Sequence, residues 1–291
     1  MALAGDPERV VFSRSSMKPL QAAVSLSLIG EDLPDAEVAV MCASHNGEPA
    51  HVEAMQEILA RAALDPGALQ CPPDRPLLAE EAAAVSVPER RFHNCSGKHA
   101  GMLLACVRQG FDHSSYRDPG HPLQRRVLEA VRAVAGEPRA VGVDGCGVPV
   151  HALSLRVMAT LYARLVTGLG LDGLSEHAAR ATGAMRAEPY LVAGRDRVCT
   201  AVMEAVDGVV VKVGAEGLVC AGISGSGLGV AIKAEDGAAR AQAPAMVHAL
   251  RLLGVLDEES WSALAGHARP SLLGGGSPVG YLEAVFDLQR A

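Results

Sequence analysis

The chain is 291 residues long, with 26 Lys plus Arg against 33 Asp plus Glu and a formal charge of −7. This acidic balance, with only 3% aromatic residues, argues against both the basic footprint and the stacking platforms of nucleic-acid binding. No apolar run approaches the ~18 residues of a membrane span, and 49% hydrophobic with 20% charged residues describes a globular chain, not a disordered one.

Residues 9–12 read as a short extended piece and 15–28 as a helix, with Pro19 tolerated in its first turn. The apolar run 36–42 predicts a buried strand that closes in a turn at Ser44-His45-Asn46-Gly47. Residues 51–63 are helical and the proline-rich 71–76 is a loop. Helical spacing returns at 97–109, 122–134 and 152–169, and more weakly at 176–185 and 197–206. Strand-like runs at 208–213, 218–223 and 227–233 are joined by glycine turns, and a helix over 238–253 follows. The pattern is α/β (α+β), a single domain over 1–291 with sheet-forming parts near 8–45 and 208–291 and a largely helical middle at 50–206. The first extended piece and the late strands are expected to share one sheet.

Seven cysteines, an odd number at irregular spacing with no secretory signal before them, predict a reducing cytoplasm and no disulfide framework. The glycines from Gly222 to Gly229 match no phosphate-binding pattern and read as a turn.

Three short motifs carry serine chemistry. Ser15-Ser16-Met17-Lys18 places a hydroxyl and an amine at i and i+3, on one helix face. An unprotonated lysine there can take the serine proton, once burial or a nearby cation has lowered its ordinary pKa. Ser44-His45-Asn46 has the S-x-N form, and Lys212-Val213-Gly214 approximates K-[ST]-G at a strand end. Acyl-transfer enzymes of the penicillin-binding type use S-x-x-K, S-D-N and K-T-G in this chain order. Singly, each motif is equally an N-cap or turn serine and a strand-end lysine; in order, they point to serine acyl transfer.

A second constellation joins Asn94-Cys95-Ser96-Gly97-Lys98-His99 to Asp144-Gly145-Cys146-Gly147. Cys95 and Lys98 are again i and i+3, and Asp144 and Cys146 point the same way from an extended segment. Two thiolates and a nitrogen are a sensible zinc donor set, while the competing reading is buried cysteine as a small hydrophobe.

These motifs, with Ser13-Arg14, Gly47-Glu48-Pro49, His93, Ala100-Gly101-Met102, Val148-Pro149 and Ala215-Glu216-Gly217, resemble those of the thermolabile, rhizobial-type L-asparaginases of the type II asparaginase family. The likeness runs from about residue 7 to about residue 255. It implies hydrolysis of L-asparagine on a serine β-lactamase/glutaminase-like fold, a central antiparallel sheet flanked by helices, as a homodimer with no organic cofactor. It implies two Ser-Lys pairs, on Ser15 with Lys18 and on Ser44 with Lys212, either serine being the nucleophile. It also implies a zinc ion (Zn2+) at Cys95, Lys98 and Cys146, with Asp144 addressing the metal-bound water and Arg14, His45, Asn94 and His99 around the site. Such chains open with a strand-rich segment earlier than this one starts, so the sheet is expected to present an open edge. The alternatives are a broader serine amidohydrolase, acting on glutamine or a β-lactam, and a non-catalytic zinc- or amino-acid-binding relative.

Overall fold

The computed structural model describes residues 2–290, a mixed helix and strand protein whose short sheets are all antiparallel. After β1 (Ala2–Leu3) and β2 (Val10–Phe12), one 3-10 turn over Arg14–Met17 leads into α1 (Lys18–Ile29). Then come α2 (Asp35–Met41), α3 (Pro49–Arg61), α4 (Ala79–Ala84), α5 (Ser96–Gln109) and α6 (Pro122–Ala135). A hairpin of β3 (Ala140–Val143) and β4 (Pro149–Ser154) precedes α7 (Leu155–Thr167), α8 (Ser175–Ala187), α9 (Pro189–Ala193) and α10 (Val198–Ala205). The meander β5 (Val209–Val213), β6 (Leu218–Ile223) and β7 (Leu228–Lys233) is followed by α11 (Gln242–Leu252), α12 (Glu258–Ala263) and α13 (Ala265–Ala268). The chain closes with the hairpin β8 (Ser271–Gly274) and β9 (Ser277–Tyr281) and with β10 (Gln289–Arg290), which pairs with β1.

Four expectations are corrected. Asp144 and Cys146 do not lie on an extended segment but in the turn joining β3 to β4, closed by Gly147 N–H donating to the Asp144 carbonyl at 2.8 Å. The run 36–42 is not a strand: Pro34 and two acidic residues in the first turn, Asp35 and Glu37, start a helix there. Beyond that first turn, Val38–Met41 are apolar and buried against α3, α5 and α8, so the run shows no amphipathic period. The span 152–169 is not one helix, since 149–154 is a strand and the Ser154 hydroxyl caps α7 by accepting from Val157 N–H at 3.3 Å. Finally, β2 and the late strands do not share a sheet: β2 pairs with β4 in the order β2-β4-β3, while β5-β6-β7 is separate.

Helix α1 runs through the core, with α5, α6 and α8 around it, and its side chains from Lys18 to Leu26 are buried, three of them polar at Lys18, Gln21 and Ser25. Helix α7 lies against β6 and β7, and α10 lies against β5. Gly97 lets α5 approach α2 closely, because a Cβ there would lie 2.2 Å from the Val40 carbonyl oxygen. The turn before α1, the start of α5 and the end of β5 thereby converge.

Candidate active site

The 3-10 turn puts Ser15 and Lys18 one turn apart, with the Lys18 backbone N–H donating to the Ser15 carbonyl. In a 3-10 turn, side chains three apart eclipse, so both lie on one face. Arg14, just before, has a left-handed backbone with φ of 44°, a conformation a branched-out side chain rarely adopts. Its Nε lies 2.8 Å from Asp144 Oδ1 and its Nη1 3.1 Å from Glu216, so two carboxylates hold it. Ser15 is half-buried, and its neighbour Ser16 ties the turn to β5 by donating its hydroxyl to the Lys212 carbonyl at 3.1 Å. Tyr162 of α7 donates to the Ser16 carbonyl at 2.8 Å from the other side.

Lys18 Nζ reaches past α2 to donate to the Ala43 carbonyl, to Ser44 Oγ at 2.9 Å and to the Asn94 carbonyl at 3.3 Å. Lys212 Nζ lies 2.7 Å from the same Ser44 Oγ and donates to the Val213 carbonyl at 2.9 Å. The Ser44 hydroxyl therefore sits between two amines, and all three side chains are buried. Burial, reinforced by the charge of Lys18, pushes the Lys212 amine down to about 7, so it is available as a base near neutrality. No hydrogen bond joins Ser15 Oγ to another group among the described residues, which leaves it open to a ligand.

His45 contributes packing and orientation. Its Nδ1 accepts from Gly47 N–H at 3.1 Å, so its Nε2 carries the proton to Ser96 Oγ at 3.0 Å. The ring stacks on His51, which stacks on Tyr190, and burial holds His45 well below the usual histidine range. Asn94 links the two constellations: its carbonyl takes Lys18 and its side-chain oxygen accepts the Cys95 thiol at 2.9 Å.

At the start of α5, Cys95, Lys98 and Cys146 converge. Lys98 Nζ donates to Cys146 Sγ at 2.9 Å, and Cys95, whose thiol donates to Asn94, stands beside this pair. The neighbouring Cys95 thiol and the Lys98 charge, against the opposing effect of burial, hold Cys146 far below the usual thiol range, and Cys95 is correspondingly raised. Burial works against the Lys98 charge, but the neighbouring sulfurs outweigh it and hold its pKa up. Among the described residues, no group of three His, Cys, Asp or Glu side chains could hold a metal ion, so any metal here must use the lysine. Two sulfurs and one amine fit a thiophilic divalent ion once Lys98 and Cys95 have given up protons. Beside them, His99 is buried with Nε2 unpartnered, its Nδ1 on Tyr116, and burial lowers it to about 4. Asp144 Oδ2 lies 4.0 Å from Cys146 Sγ.

A third group escapes sequence reasoning. Glu48, buried at the start of α3, accepts from the Tyr190 hydroxyl, from Arg195 N–H at 3.1 Å and from Asn46 Nδ2 at 2.9 Å. Burial alone would raise its carboxyl, and these donors instead hold it below the ordinary value. Arg197 Nη1 donates to Asn46 Oδ1 at 2.7 Å. The only local sign was the polar loop Gly194-Arg195-Asp196-Arg197 between two apolar helices.

Lys18, Ser44 and Lys212 thus meet in the core, beside the cluster of Cys95, Lys98 and Cys146. The chain matches the L-asparaginase II family (Asparaginase_II) over residues 1–284, and it belongs to that family. No individually curated protein matches it.

Proposed function

We propose that the protein hydrolyses the side-chain amide of L-asparagine to L-aspartate and ammonia through a serine acyl-enzyme. The observation that carries this reading is the buried Ser44 hydroxyl between Lys18 and Lys212, at 2.9 and 2.7 Å, with Lys212 lowered to about 7 by burial and by the Lys18 charge. Ser15, the open hydroxyl at the helix start, attacks the amide carbon. Lys18 first gives a proton to Ser44, whose own hydroxyl proton moves to the neutral Lys212, and the amine so freed on Lys18 takes the Ser15 proton. Backbone N–H groups at the helix start, that of Ser15 among them, take the developing oxyanion. The adduct collapses, the C–N bond breaks, and the relay returns the proton to the leaving ammonia. Water then loses a proton into the same relay and cleaves the ester, releasing aspartate and restoring Ser15.

The reading includes a serine β-lactamase-like architecture, with helices packed on the antiparallel β5-β6-β7 sheet. It includes a homodimer in the cytoplasm, the seven unpaired thiols supporting a reducing compartment. It also includes zinc, held by Cys95, Cys146 and Lys98, which when bound supplies fixed positive charge beside the substrate. Lys98, Asp144 and Arg14 hold that side of the site in place with or without it. Protein purified without chelator is expected to contain about one zinc per chain by elemental analysis, and Cys146→Ser to lose it; metal-free protein of full activity defeats the zinc reading.

The deciding experiment measures ammonia release from L-asparagine and L-glutamine, with ring opening of a penicillin followed in parallel. Turnover of asparagine above the other two is expected, with Ser15→Ala and Ser44→Ala each falling by about a thousandfold. Full turnover by Ser15→Ala removes it as nucleophile. Turnover of all three alike favours the broader amidohydrolase. Asparagine or zinc binding without turnover favours the non-catalytic relative.

A further inference from the structure

We propose that Arg197 is the substrate-positioning residue that receives the α-carboxylate of the amino-acid substrate. The proposal rests on the asparagine reading above and adds how the substrate is oriented.

Backbone hydrogen bonds set the geometry. Ser44 N–H and Asn46 N–H both donate into the 192–193 segment, to Val192 at 3.0 Å and Ala193 at 2.9 Å, while His45 N–H points the other way to Asn94 at 3.3 Å. The segment is extended, so the Ser44 and Asn46 side chains project to one side. Asn46 Nδ2 donates to Glu48 and, at 3.0 Å, to the Arg195 carbonyl, which orients the amide with its oxygen outward to Arg197. The loop reaches Asn46 only because residue 194 is glycine: with φ of 107°, a Cβ there would lie 2.3 Å from Glu48 Oε1 and 2.6 Å from Asn46 Nδ2. Cys199 of α10, two residues beyond Arg197, accepts from Val213 N–H at 3.3 Å, tying this loop to the end of β5 that carries Lys212.

Charge points to the same residue among the cations near Ser44 and Asn46. Arg14 is held by two carboxylates, Lys98 by the Cys146 sulfur at 2.9 Å, and Arg195 by Glu80 and Glu48. Among the described residues, half-buried Arg197 makes no ion pair, and its recorded partner is a neutral amide. Its charge also bears on Lys212, adding to the larger effects of burial and Lys18. A guanidinium with free N–H groups is a fork for a carboxylate. In asparagine that carboxylate is three bonds from the amide carbon, which suits an anchor beside the serine network.

The test compares Arg197→Met and Arg197→Lys with the unaltered protein on L-asparagine and on L-asparaginamide, its uncharged α-amide, with thermal melting to verify folding. The KM for asparagine is expected to rise at least tenfold in Arg197→Met, with kcat within threefold, and the preference for asparagine over asparaginamide to collapse. Arg197→Lys, which keeps the charge, recovers part of it and serves if the methionine variant does not fold. Equal losses on both substrates, or an unchanged KM, overturn the proposal. If the unaltered protein releases no ammonia from asparagine, the functional reading fails, and calorimetric titration with L-aspartate still decides on Arg197. Affinity at least tenfold weaker in the variant supports the anchor; equal affinity, or no binding to the unaltered protein, overturns it.

Discussion

Lys212 is buried as an amine whose pKa is about 7 against an ordinary 10.5, chiefly because of burial and secondly because of Lys18. That difference corresponds to about 5 kcal/mol by which the native fold disfavours the protonated form, an order-of-magnitude figure. Below pH 7 the lysine is protonated in both the native and the unfolded chain, and the native state carries the whole penalty. Between 7 and 10.5 the unfolded chain binds one more proton than the native, so the penalty fades by about 1.4 kcal/mol per pH unit and stability from this group rises with pH. Lys212→Met removes the penalty and leaves Ser44 Oγ and the Val213 carbonyl without this partner, at about 1–3 kcal/mol each. Guanidinium unfolding of both proteins at pH 6, 8 and 9.5 reads the difference. The variant's stability relative to the unaltered protein is expected to be greatest at pH 6 and to decline by several kcal/mol by pH 9.5. In the ammonia assay, kcat/KM of the unaltered protein is expected to climb through pH 7 as Lys212 loses its proton, while the variant falls by about a thousandfold. A stability difference that is constant across this range, or retained activity in the variant, refutes the reasoning.

Gly97→Ala drives a Cβ into the Val40 backbone and is expected to cost about 2–4 kcal/mol, read as a fall in the denaturant midpoint; a change under about 0.5 kcal/mol contradicts the helix contact described. Tyr162→Phe deletes the donor to the buried Ser16 carbonyl and is expected to cost about 1–3 kcal/mol with a reduced kcat, since the turn carrying Ser15 loses a tie; unchanged unfolding contradicts it. All seven cysteines are buried, and burial raises Cys42 and Cys220 to about 12, so a thiol reagent is expected to modify less than one thiol per native chain and all seven in denaturant. Rapid native labelling of several thiols contradicts that packing.

The helices 51–63, 97–109 and 122–134 and the strands of the late meander were legible because each has a clear period and bounding glycines or prolines. Helix α2 was not: after its first turn it is buried without a break, and Val38 and Val40 mimic a strand's interior. The strand at 149–154 was hidden because its apolar residues run without a break into α7, where only Ser154 marks the boundary. The serines and lysines themselves were legible as motifs in chain order. That both amines meet on one hydroxyl was not, because Ser44 and Lys212 are 168 positions apart and nothing local encodes their meeting. The Asn46–Glu48–Arg197 group was invisible for the same reason, its partners lying 142 to 151 positions apart.

The separation between Ser44 and Lys212 has a kinetic side. Each half of the pair sits on an element stabilised by near neighbours in sequence, α2 and α3 for the serine and the β5-β6 hairpin for the lysine. Joining them closes a very long loop, and such contacts are entropically the slowest to form. The Lys212 amine therefore leaves water only where β5 meets the segment that carries Ser44, and its lowered pKa belongs to the assembled fold and to neither element alone.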